Sequence, residues 1–269
     1  MRKVLKIEIK RALTGWGFLL SLIPGMVCVL YKNYQIYVQN SKFEGMGYYL
    51  SFNKRTFFDT WMLGYLDSTV LYMFYFLGII VALPYGISYY QDRKKGIIKN
   101  ICVRTEKKKY LLSKYIAVFL SGGIAAAIPV IIDFLMVRLY NPIDFLRISG
   151  TVLNSITEWN VFIIDHLYLS AVIFVLLWFV FGGALATTSL MAATFADNFF
   201  TIQLTPFFVM MVLFYLPTVI GGNSQRFFPF AFLTLFGNSN PFIALGFSLV
   251  IVFLTFIVFI SRSIRKDIL

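Results

Sequence analysis

PYGISYYQDRKKGIIKNICVRTEKKKYLLSKY, residues 84–115, decides how the chain is read. The stretch opens where one long apolar run ends and closes where the next begins. Between Asp92 and Lys114 it carries nine basic residues (Arg93, Lys94, Lys95, Lys99, Arg104, Lys107, Lys108, Lys109, Lys114) against Asp92 and Glu106. So dense a cationic loop between two membrane-length segments resists translocation, which assigns it to the cytoplasmic side. Ile97, Ile98, Ile101 and then Leu111 and Leu112 recur among the charges at helical spacing. A short amphipathic helix at the membrane surface, presenting those residues to a partner, is the expectation.

Composition points the same way. Of 269 residues 59% are hydrophobic and only 13% charged, with a mean hydropathy of +0.78. A soluble chain carries about a quarter charged residues. The expected class is therefore an all-α integral membrane protein, with 1–269 as one integral domain and no room for a separate soluble catalytic domain. A net charge of +12 would suggest nucleic acid in a soluble protein. Here the positive residues flank apolar runs, where bilayer orientation accounts for them, and no nucleic-acid partner is expected. Cys28, near the outer end of the first span, and Cys102, in the basic loop, fall on opposite sides of the membrane and cannot pair.

Outward from the basic stretch, six spans are expected at about 13–31, 68–90, 115–139, 167–195, 202–220 and 241–260. Residues 1–12, MRKVLKIEIKRA, put Leu5, Ile9 and Ala12, with Leu13 next, on one face and Lys3, Lys6, Lys10 and Arg11 elsewhere, the pattern of an interfacial helix. No small-x-small cleavage site follows, so this helix is expected to be retained. Pro24-Gly25 is expected to kink the first span, and Pro217 to break the fifth. External segments are expected at 32–66, 140–164 and 221–240. The first is aromatic-rich, with Trp61 among residues suited to the headgroup level. The last reads as a re-entrant or interfacial element. Gly122 with Ala126, and Gly123 with Ala127, have the small-xxx-small spacing that admits a neighbouring helix, and Gly182, Gly183, Ala184 and Ala186 offer small residues on the fourth span. Of 24 basic residues, 17 fall in 1–12, 92–114 and 261–269. The other seven, Lys32 and Arg138 among them, fall outside or at the outer interface, which predicts both termini in the cytoplasm.

No enzyme constellation is present. His166 is the only histidine, there is no GxSxG, and no GxxxxGK[ST] offers a phosphate-binding loop. Asp165 and His166, at the outer start of the fourth span, read as an interfacial polar pair, the other reading being a proton-sensitive site. Asp133 lies inside an apolar run, where a charge is costly and often functional. It is a candidate for a translocation path or a subunit contact. The other reading is a residue near the outer end, hydrated or paired with Arg138.

With the spans placed, the basic stretch resembles the region between the second and third spans of ABC exporter permeases of the second (ABC-type-2) class. The pattern runs aromatic-x-Asp-x-x-x-Gly, then a basic residue, an Arg, and Tyr-x-x-x-Lys entering the next span. It is carried here by Tyr90, Asp92, Gly96, Lys99, Arg104, Tyr110 and Lys114. The architecture of interfacial helix, six spans and a broken apolar element before the last extends the resemblance along the chain. The sizeable segments 32–66 and 140–164 depart from the commonest members. The resemblance implies a cytoplasmic coupling helix that docks on a separate ABC ATPase subunit, with Asp92, Gly96, Ile97, Ile98, Ile101 and Arg104 as coupling residues. It also implies a second permease copy or a homologous permease, and ATP with magnesium on the partner subunit, leaving no cofactor and no catalytic role to this chain. The cargo it implies is a peptide, lipid or other amphipathic compound, moved out across the plasma membrane. The alternative from another class is a stand-alone membrane protein that sequesters a toxin or partner without transport.

Overall fold

Gly15 divides the N-terminal run in two. The computed structural model describes residues 2–42, 61, 68–140, 162, 165–221, 233 and 241–265. Helix α1 (Arg2–Thr14) ends at Gly15, whose extended backbone turns the chain into α2 (Trp16–Ser41). The expected first span closed at residue 31, yet α2 continues ten residues further. Val29, Lys32, Asn33 and Ile36 are all buried along one inward face, so Lys32 is a core residue and not an outer-loop charge. Trp61 is also corrected: it is buried edge-on against Phe134 (4.9 Å between ring centroids) and Phe174 (5.5 Å). Most of segment 32–66, and all but isolated residues of 140–164 and 221–240, lie outside the described residues.

Helix α3 (Ser68–Ala82) covers the first part of the expected second span and stops two residues before Pro84, whose ring lacks an N–H and disfavours helix in the residue before it. Tight turns carry the chain to α4 (Ser88–Lys94), with the Gly86 amide donating to the Ala82 carbonyl at 2.9 Å. Gly86 is required by space as well, since a Cβ there would lie 2.5 Å from Ser189 Oγ. Gly96 then takes a left-handed φ of 67° and starts α5 (Ile97–Arg104). Helix α6 (Lys107–Tyr140) follows. Leu111 and Leu112, grouped with the loop helix by their spacing, therefore belong to α6.

The remaining helices are α7 (Leu167–Ala193), α8 (Phe199–Ile220) and α9 (Pro241–Arg265). Helix α8 runs unbroken through position 217 and ends against Gly221, at φ 72°, the left-handed terminator common after helices. Among the described residues there is no strand. Among the described residues five helices, α2, α6, α7, α8 and α9, are long and apolar enough to cross a membrane. Their outward faces carry exposed Leu20, Val27, Val212, Leu249 and Phe253, where a soluble protein would carry charge. This is an all-α, multi-pass membrane protein.

Helices α6 and α7 form its centre, and the contact between them has a regularity. Both carry F-x-x-G-G-x-x-A, from Phe119 to Ala126 and from Phe179 to Ala186. A Cβ on Gly122 would meet Ala186 Cβ at 2.3 Å, and one on Gly182 would meet Ala126 Cβ at 2.4 Å. Gly123 and Gly183 face the carbonyls of Phe179 and Phe119 in the same reciprocal way. The two helices run antiparallel and pack with their backbones almost touching, as bare glycine surfaces permit in a membrane.

Candidate functional site

Beneath the basic segment lies a buried network of four charges and two phenols. Glu8 comes from α1, Tyr85 from the turn after α3, Asp92 from α4, and Tyr110 and Lys114 from α6. Lys114, fully buried, uses all three ammonium protons: it donates to Asp92 Oδ2 (2.5 Å), Glu8 Oε2 (2.8 Å) and the Tyr85 hydroxyl (3.2 Å). Its Nζ also sits 4.6 Å from the Tyr85 ring centroid and 5.5 Å from that of Tyr110, within range of cation–π attraction. Tyr85 donates to Glu8 at 2.6 Å and Tyr110 to Asp92 at 2.8 Å. Arg11 closes the outer side, donating to Asp92 Oδ1 (3.0 Å) and Glu8 Oε1 (3.3 Å).

Two carboxylates and two cations balance, and each of the four finds hydrogen-bond partners, the condition under which buried charge is tolerated. Burial alone would raise the Asp92 carboxyl, but Lys114, Arg11 and Tyr110 outweigh it and hold its pKa below the ordinary carboxylate value. Burial likewise works against the Arg11 cation, and Asp92, Tyr85 and Glu8 more than compensate. A depressed carboxylate stabilises above its unfolded pKa and loses that contribution as pH falls through the folded value. Asp92 therefore makes its contribution at neutral pH and loses it in acid.

The segment it anchors is the one read as coupling. Asp92 is buried and engaged by α1 and α6, so its side chain faces inward. Ile98 is buried, Ile97 and Ile101 half-buried, and Arg104 is the last residue of α5. Gly96 has open space around it, so its constraint is the left-handed φ alone. Arg93 ties the same segment to the other side of the bundle, donating to the Ala193 carbonyl at 3.2 Å and pairing with Asp197 in the α7–α8 turn. Sequence reading grouped Asp92, Tyr110 and Lys114, placed Arg11 only on the polar face of the interfacial helix, and missed Glu8 and Tyr85. One signal was present: Glu8 is the single acid among the five basic residues of 1–12.

Asp133 sits at a second buried pair. Its Oδ2 accepts from Lys32 Nζ at 2.6 Å and its Oδ1 from Asn33 Nδ2 at 2.9 Å, joining α6 to α2. Arg138 is exposed, and the partner expected from sequence is replaced by Lys32. Asp133→Asn removes the carboxylate that Lys32 pairs with inside the bundle, at an expected cost of about 3–5 kcal/mol. Lys32→Met with Asp133→Leu should be milder than either single change, measured as thermal unfolding in detergent. A double variant less stable than both singles would show that the pair does more than neutralise itself.

The fold and the two networks define the class as far as an all-α multi-pass membrane protein. No protein-family model matches the chain, and neither a curated protein nor a solved structure matches it.

Proposed function

We propose that the chain is the permease subunit of an ATP-driven exporter of the ABC-type-2 class. One observation carries the reading: the motif residues Asp92, Tyr110 and Lys114 meet in a single buried network that fastens α4, and with it the Gly96–α5 segment, to α1 and to the start of a membrane-length helix. A surface helix so fastened moves with the bundle, which is what coupling to a separate ATPase requires. In this reading α3 with the turns that follow it completes six spans, both termini and α5 are cytoplasmic, and two permeases enclose the path for a peptide, lipid or other amphipathic cargo. The ATPase contact centres on the Gly96 turn, with half-buried Ile97 and exposed Lys99 beside it.

Tagged full-length chain should co-purify with an ATPase bearing GxxxxGK[ST]. Recovery of the chain from its native membrane with no such subunit would overturn the reading. Within the complex, Gly96→Val forces a β-branched residue into left-handed space, at about 1–2 kcal/mol, and should uncouple ATP hydrolysis from transport in vesicles. Gly96→Asn, which tolerates that conformation, should retain coupling. Equal behaviour of the two variants would show that the turn is not what transmits motion.

A further inference from the structure

Helices α1 and α5 do not close against each other. A groove runs between them, floored by Val4, Ile7 and Val103 and rimmed by Arg2, Lys3 and Lys109. Val103 is 87% exposed and Ile7 58%, so the floor is apolar surface left open. On the rim Lys109 is held by Glu106 at 2.6 Å, whereas neither Arg2 nor Lys3 has a carboxylate partner among the described residues. Glu8, at the inner end, is neutralised by Lys114 and Arg11. The groove therefore presents uncompensated positive charge above an apolar floor.

Its level in the molecule fixes what can enter. Helix α1 joins the membrane-crossing α2 through one residue, and Trp16, 81% exposed, marks that junction, as interfacial tryptophans do. We infer that the groove is a binding site for an anionic phospholipid. The phosphodiester is held by Arg2 and Lys3, and the first carbons of an acyl chain cover Val4, Ile7 and Val103. Neutral lipid lacks the net charge that two unpaired cations select, and free phosphate lacks the chain that the floor requires. The inference rests on the membrane fold and is independent of the exporter reading.

The test is native mass spectrometry of the full chain in detergent, titrated with phosphatidylglycerol, phosphatidylcholine, inorganic phosphate and a glutamate-rich peptide. Each cation that meets the lipid headgroup contributes about fivefold to anionic-lipid affinity. Phosphatidylglycerol should bind, Arg2→Gln with Lys3→Gln should weaken it about thirtyfold, and Val103→Asp should weaken it further. Lys95→Gln with Lys99→Gln, exposed and off the groove, should change it by less than about threefold. Equal binding of phosphatidylcholine, an equal loss from the Lys95 and Lys99 pair, or retention by the Arg2 and Lys3 pair would each overturn the site. So would tighter binding of phosphate or of the acidic peptide, the latter marking a protein-docking groove.

Discussion

Lys114→Met should detach α1 from the bundle and lower stability by about 3–5 kcal/mol, the range for breaking a buried charge pair from one side. Lys114 is fully buried and donates to two carboxylates and a phenol. Methionine fills similar space without donating, so Glu8 and Asp92 would share Arg11 as their one remaining cation. Charge arithmetic predicts the remedy. Adding Glu8→Gln leaves Asp92 with Arg11, a balanced pair, and the double variant should recover more than half of the loss. Hydrogen exchange of the α1 amides, followed with thermal unfolding in detergent, reads both effects. Wild-type exchange in Lys114→Met, or a double variant worse than the single, would show that the network does not hold α1.

The second large effect belongs to the α6–α7 contact. Gly122→Val puts three carbons where the first already lies 2.3 Å from Ala186 Cβ and 3.0 Å from the Val81 carbonyl. Overpacking of this kind costs about 1–3 kcal/mol and occasionally more, and the yield of folded protein should fall. Gly122→Ala should be destabilising too, but Ala186→Gly in the same chain removes the atom it strikes. The reciprocal pair, Gly182→Ala with Ala126→Gly, should behave alike. A double-mutant cycle in detergent would measure the coupling. Additive losses would mean that the facing methyl groups are not what limits the approach of the two helices.

The membrane class and most helix positions were legible because apolar length is a local property that a bilayer enforces. The small-residue faces were legible for the same reason, although their pairing as Phe119–Ala126 against Phe179–Ala186 needed the second helix to be in place. The buried networks were not. Glu8 and Lys114 lie 106 residues apart, and Lys32 and Asp133 lie 101 apart. A basic residue near an apolar run reads as a topology signal, whether it faces headgroups or a carboxylate on another helix. Lys32 was misplaced on that account, and with it the end of α2. Asp92 stood out only through a motif, which marked the position and left open the direction in which the side chain points.

The distance in sequence between Lys32 and Asp133 also sets an order of events during synthesis. At roughly 5–20 residues per second, the ribosome makes the carboxylate roughly 5–20 s after the ammonium, their separation being 101 residues. For that interval α2 enters the membrane with Lys32 lacking the partner it will keep, and the long lysine side chain must reach for the headgroups. At mean hydropathy 1.2, against 3.0 for α9, α2 is the least apolar of the five membrane-length helices. The segment with the weakest hold on lipid is thus one that must insert before its neutralising neighbour has been made.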